Sequence, residues 1–183
     1  MTLEALFDLL RNAKKLCGHA EYVVVGSVSV LGMSEVAALP ADMTVSIDAD
    51  CYTRLDPARV FDLQGKLGEG SDYHRAHGIY LDPVSPKLPT LPQDWESRLI
   101  RIERDGVIAA FLDPNDAAIS KLARSEPRDL RWVRAGIQAG LVSIPALKLR
   151  SGRTSYLDDA EKARVDESLA SLAGSLHPAK RRR

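Results

Sequence analysis

Leu3, Leu6, Phe7, Leu10 and Ala13 recur at three- and four-residue intervals between Thr2, a residue type that caps helices, and Gly18. That spacing predicts an amphipathic opening helix. Tyr22 to Val25 is apolar on both faces and stops abruptly at Gly26-Ser27, the pattern of a buried central strand entering a tight turn. Val28 to Leu31 is predicted to begin a short helix. Beyond a loop containing Pro40, the stretch Met43 to Tyr52 alternates, with Val45, Ile47 and Ala49 on one side and Ser46, Asp48 and Asp50 on the other. A strand with acids on one face is predicted there.

Pro57 to Leu67 reads as a helix that begins with proline and closes at Gly68-Glu69-Gly70. Ile79 to Leu81 predicts a short strand. The four prolines from Pro83 to Pro92 exclude a central strand or helix, so this stretch is predicted as a surface excursion. Leu99 to Glu103 and Val107 to Leu112 flank Arg104-Asp105-Gly106, where Asp-Gly signals a hairpin. Asp113-Pro114-Asn115-Asp116 is a compact helix start, and the helix it opens carries Lys121. A second helix is predicted from Ser125-Glu126-Pro127 through Leu130, Val133 and Ile137 to Gly140, paired with the first. After a short helical piece beyond Pro145, Val165, Leu169, Leu172 and Leu176 mark a final amphipathic helix ended by His177-Pro178. The Lys180-Arg181-Arg182-Arg183 tail is expected to be mobile, because four adjacent charges repel one another.

These elements make an α/β (α+β) chain with a mixed sheet whose core strands are Tyr22 to Val25, Val45 to Cys51, Leu99 to Glu103 and Val107 to Leu112. Helices flank the sheet. The expected organisation is a main domain over 1–150, a C-terminal helical extension over 151–176 and a basic tail over 177–183. A length of 183 residues with 45% hydrophobic composition supports one sizeable core and leaves little room for a second. Basic and acidic residues balance at 25 each, so net charge makes no case for nucleic-acid or anionic-membrane binding. Apolar runs such as Val107 to Leu112 fall far short of the roughly 20 residues needed to span a bilayer, and no membrane partner is expected. The early Glu4 and the lack of a basic leader point to the cytoplasm. Cys17 and Cys51 form neither metal-ligand spacing nor a disulfide framework, which agrees with a reducing compartment.

Asp48 and Asp50 lie two apart in the predicted strand, which puts both carboxylates on one side, roughly 6 to 7 Å apart at the backbone. Such a pair suits a hard divalent cation, above all magnesium, which takes carboxylate and phosphate oxygens. An ordinary solvent-facing acid pair has the same pattern. Gly26-Ser27 after a buried strand offers a close-approach glycine, a hydroxyl and amide groups suited to phosphate, and a plain strand-to-helix turn is its alternative. Lys121 is either a phosphate contact or a snorkelling surface lysine. Asp129 could orient Lys121, act as a general base, or simply favour a helix dipole. His74 and His77, and the Arg128, Arg131 and Arg134 group, read as solvated side chains.

The order of these elements resembles the minimal nucleotidyltransferases of the polymerase-β-like superfamily. More narrowly, Val25-Gly26-Ser27-Val28-Ser29-Val30-Leu31-Gly32, Val45-Ser46-Ile47-Asp48-Ala49-Asp50-Cys51-Tyr52 and Leu112-Asp113-Pro114-Asn115-Asp116 through Lys121 to Arg128-Asp129-Leu130 look like bacterial nucleotidyltransferase-like proteins related to AbiEii-type toxins. The likeness covers roughly Glu21 to Val142. It implies that Gly26 and Ser27 hold a nucleoside triphosphate, that Asp48 and Asp50 bind magnesium, that Lys121 contacts phosphate, and that Asp129 is the acid following the helical lysine. The acceptor it implies is an RNA or a protein. Two departures stand out: the interval from Ser27 to Asp48 is longer than the superfamily's, and Met43 stands near a position where AbiEii-type proteins often carry arginine. For the third carboxylate of active enzymes the expected residue is Glu103, at a strand end, with Asp82 second. Without that third acid the alternative is a catalytically degenerate nucleotide-binding or toxin-antitoxin interaction module.

Overall fold

The structure, a computed structural model, describes residues 1–34 and 37–176. Thr2 caps α1 (Leu3–Cys17) by accepting from the Ala5 amide, and Gly18 ends it in the left-handed conformation at φ 76°. There follow β1 (Glu21–Val24), a 3₁₀ segment (Ser27–Met33), α2 (Ala41–Thr44) and β2 (Asp48–Thr53). A second 3₁₀ segment (Pro57–Leu63) runs into α3 (Gln64–Leu67), then α4 (Asp72–His77), β3 (Tyr80–Pro83), a third 3₁₀ segment (Trp95–Arg98), β4 (Ile100–Arg104) and β5 (Val107–Phe111). Four helices complete the described residues: α5 (Pro114–Arg124), α6 (Pro127–Gln138), α7 (Ile144–Ser151) and α8 (Asp159–Leu176). Among the described residues no helix is long and apolar enough to cross a membrane. The basic tail lies outside the described residues.

The fold is mixed α/β, with one five-stranded sheet in the order β3-β2-β1-β5-β4. β1 is central, antiparallel to β2 and parallel to β5, while β3 runs parallel to β2 and β4 antiparallel to β5. The Asp-Gly hairpin forms as expected, with Asp105 at φ 51° and Gly106 at φ 69°, the two positive values a type I′ turn requires. Acid strand and hairpin share this sheet. α1 packs against β5, and the Pro57–Leu63 segment against β2. Leu6, Phe7, Leu10, Tyr22, Val24 and Phe111 are fully buried there. At the other end α5 contacts the Ser27–Met33 segment and gathers α6, α7 and α8 around itself.

One predicted strand is shorter than its pattern. Met43 belongs to the helical turn α2, and β2 begins only at Asp48. Val45 and Ile47 are exposed, at 78% and 48%, rather than on an inner face. The neighbours explain this: β3 starts at Tyr80, paired with Asp48, and the last β1 pairing is Val24 with Cys51. Among the described residues, those before Asp48 therefore have no strand to pair with, and only the Ile47 carbonyl reaches β3, accepting from the Tyr80 amide at 3.0 Å. The long interval from Ser27 to Asp48 is taken up by the 3₁₀ segment and α2.

The Asp113-Pro114-Asn115-Asp116 start does more than cap. Asp113 accepts from the Asn115 amide at 2.8 Å. Fully buried Asp116 takes a two-point contact from Arg98 (Nε 2.9 Å, Nη2 3.1 Å) and lies 2.9 Å from Arg150. Arg150 also reaches Asp113. These pairs tie α5 to α7 and to the segment leading into β4. Asp116→Ala would leave two guanidinium groups facing an empty site, so unfolding in urea should show a loss of about 3 kcal/mol.

Candidate functional site

β1 delivers the chain to Gly26, whose φ of 65° and ψ of −150° lie in a region that side chains avoid. The reason is spatial as well: a Cβ built on Gly26 would sit 1.8 Å from Asp50 Oδ2. Glycine lets the turn pass directly over the acid strand. Ser29 closes the turn by donating to the Gly26 carbonyl at 2.8 Å.

On β2, Asp48 and Asp50 share a face. The parallel register of β3 sets Asp82 directly beside Asp50. One ligand atom from each of Asp48, Asp50 and Asp82 lies within 4.8 Å of the others, and all three residues are half-buried. Ser46 donates to Asp48 Oδ1. Burial first, then the charges of Asp48 and Asp82, push the Asp50 carboxyl up to about 7. Asp82 is also raised, by burial and then by Asp48. Three hard oxygen donors converging at the cost of mutual repulsion fit a divalent cation, whose charge would remove that cost.

Glu103 stands elsewhere. It lies on the far edge strand β4, exposed, and three strand spacings from β2 put it about 14 Å across the sheet from the acids. The structure does not bring it to the cluster and brings Asp82, the second expectation, instead. The reason is topology: β3, read in the sequence only as a short strand, docks alongside β2.

α5 and α6 supply the basic half of the site. Lys121, 2% exposed, donates from Nζ to Ser27 Oγ at 2.9 Å and to Asp129 Oδ1 at 3.1 Å. Burial lowers the Lys121 pKa, with Asp129 opposing the shift. Asp129, 1% exposed, also receives two hydrogen bonds from Arg124, at 3.1 and 2.8 Å. Burial alone would raise the Asp129 carboxyl, but the Arg124 hydrogen bond and the Lys121 and Arg124 charges hold it below the usual carboxylate range. A carboxylate so engaged is a poor proton acceptor, and its geometry is that of a positioning residue for Lys121 and Arg124 rather than a general base.

Trp132 Nε1 donates to the backbone carbonyls of Ser27 (3.2 Å) and Met43 (3.3 Å), and the Lys121 ammonium sits 4.9 Å from the centre of its ring. This indole therefore pins the turn, α2 and the lysine together. Met43 is wholly buried and contributes a carbonyl rather than a charge. Arg124 and Trp132 were not legible as site residues, although each follows a candidate by three positions on the same helix, Lys121 and Asp129 respectively.

Two cavities flank Asp50. One, of about 360 Å³, holds Asp48, Asp50 and Asp82 with Ser27, Arg124 and Arg128 on its walls. The other, of about 240 Å³, is mainly apolar and is also lined by Gly26 and Lys121. Gly26, Asp48, Asp50 and Lys121 thus line adjoining cavities around one acid.

Comparison with known proteins gives one family. The model for nucleotidyltransferases of unknown function (DUF6036) matches residues 4–171, nearly the whole chain. No curated protein and no solved structure matches.

Proposed function

The chain belongs to this family of nucleotidyltransferases of unknown function, and from that premise we propose that it moves a nucleotidyl group from a nucleoside triphosphate to an RNA or protein hydroxyl with magnesium as cofactor. The observation that carries the reading is the third carboxylate: Asp82 completes a three-acid set with Asp48 and Asp50. The order of the motifs supports the narrower likeness to the polymerase-β-like superfamily and its AbiEii-type toxins.

In this reading Asp48, Asp50 and Asp82 hold magnesium, which would neutralise phosphate charge and favour attack by the acceptor oxygen. The Gly26-Ser27 turn brings its backbone against the phosphates, a close approach that glycine alone permits. Lys121 fixes the Ser27 hydroxyl and adds positive charge behind it, with one of its three ammonium donors still uncommitted to Ser27 or Asp129. Arg124, anchored on Asp129 and 46% exposed in its side chain, presents a further cation to both cavities. When the acceptor oxygen bonds to the α-phosphorus, the bond to the β-phosphate oxygen breaks, pyrophosphate leaves and the hydroxyl proton passes to water.

The test incubates the protein with magnesium, each of the four ribonucleoside triphosphates labelled at the α-phosphate, and total RNA or cytosolic protein. Label should enter one acceptor fraction and be lost with chelator. Asp82→Asn should lower incorporation at least about 100-fold, and Lys121→Ala should weaken triphosphate binding, whereas Glu103→Gln should retain full transfer. Magnesium-dependent triphosphate binding without any transfer would replace the enzyme with a nucleotide sensor. No triphosphate binding would end the proposal.

A further inference from the structure

The apolar cavity beside the acid cleft contains one group that the transfer chemistry leaves unused. Glu161, near the start of α8, is 5% exposed. Its carboxylate accepts from the Thr90 hydroxyl at 2.7 Å and from the Leu157 amide at 2.7 Å. Among the described residues, none of the ion pairs involves it. Carboxylates this deeply buried are rare without a cation partner, because removing their charge from water is costly. Two neutral donors and the positive end of a helix offset part of that cost. Four lone-pair sites with two occupied leave capacity on the carboxylate.

The surroundings fit a largely apolar ligand. Val25, Val84, Leu88, Leu112 and Leu157 line the same cavity as Glu161. Leu88 and Leu157 are 66% and 85% exposed, a large apolar area left to water at this site. The cavity adjoins the acid cleft through Asp50, Val84, Leu88 and Arg124, which line both. A nucleotide whose phosphates lie at the acids can therefore reach across with its base.

We propose, on the footing of the nucleotidyltransferase reading, that this cavity receives the nucleobase and that Glu161 selects bases carrying an exocyclic amino group. A carboxylate accepts an N–H and repels a carbonyl oxygen in the same place. The Thr90 hydroxyl is already donating to Glu161, so it is committed away from a base carbonyl. Cytosine differs from uracil at this position, an amino group against an oxo group, and adenine differs from hypoxanthine in the same way.

Glu161 also serves its own helix, where Asp158 accepts from the Glu161 amide at 2.7 Å. A purely structural glutamate would not move a ratio of affinities between two ligands. The experiment measures, by calorimetry with magnesium and no acceptor, the binding of CTP, UTP, ATP and ITP to the wild-type chain. CTP should bind at least about tenfold tighter than UTP, and ATP at least about tenfold tighter than ITP, because the oxo analogues leave a buried carboxylate facing an acceptor. Glu161→Gln, which can donate as well as accept, should bring both ratios to within about threefold. Equal wild-type affinity within both pairs overturns base selection while leaving nucleotide binding in place, as do unchanged ratios in the Glu161→Gln protein. Failure to bind any of the four, or GTP, overturns the nucleotidyltransferase reading itself. The wild-type comparison decides alone should the variant not fold.

Discussion

Asp50→Asn should abolish magnesium-dependent transfer, by about 10³-fold or more, and make the metal-free protein more stable above pH 7. The first effect follows from removing one of the three converging acid charges, since an amide keeps the shape and loses the affinity for a hard cation. The second follows from burial and from Asp48 and Asp82, which raise the Asp50 carboxyl to about 7. A carboxyl raised above its unfolded value binds its proton more tightly in the folded state. Its contribution is favourable at low pH, declines as the pH climbs from about 4 to about 7, and is lost above. Holding the proton across each pH unit of that window is worth about 1.4 kcal/mol, so the penalty reaches a few kcal/mol, lessened where Asp50 remains in reach of water. Thermal unfolding without metal should therefore show wild-type stability falling between about pH 4 and about pH 7 and a flatter profile for Asp50→Asn. Magnesium should restore the wild type at the upper end of that range and leave the variant unmoved. Parallel profiles for the two proteins would show that repulsion at Asp50 is not what the site stores.

Elements whose signals are local were legible in the sequence. α1 could be read because Thr2, a helical apolar period and Gly18 agree with one another, and the hairpin because Asp105-Gly106 allows few other turns. Gly26, Ser27, Asp48, Asp50 and Lys121 could be named as candidates because each sits at a boundary or on a face that its neighbours define, and the structure gathers them around adjoining cavities. Pairing between strands distant in sequence was not legible. Asp82 reaches the acids only because β3 adds to the sheet beyond β2, and nothing within Tyr80 to Pro83 states which strand it will meet. Val45 and Ile47 show the converse: their alternation continues a strand pattern into a stretch that has no paired strand among the described residues. Glu161 was invisible for a similar reason. As an acid in the first turn of a helix it is unexceptional, and it is buried through tertiary packing, with α8 against α5 and the Thr90 hydroxyl on its carboxylate.

Gly26→Ala should be the most disruptive single-methyl change in the chain. Two separate costs add. The backbone at φ 65°, ψ −150° is nearly restricted to glycine, which costs about 1–3 kcal/mol for alanine. The new Cβ would also fall 1.8 Å from Asp50 Oδ2 and 3.1 Å from Asp50 Cβ, so the carboxylate must leave its place or the end of β1 must shift. Either movement separates the Gly26-Ser27 turn from the acids. The variant should lose about 3 kcal/mol or more in urea unfolding and transfer no detectable label. A second substitution divides the two costs. Asp50→Ala in the Gly26→Ala background removes the clashing oxygen and leaves only the tight 3.1 Å contact, so it should recover part of the stability and none of the activity. The pair should then be strongly non-additive, with the double variant more stable than the sum of the single changes allows by about 1 kcal/mol or more. Additive losses would mean that backbone conformation alone demands the glycine, and that the passage of the turn over Asp50 is incidental to it.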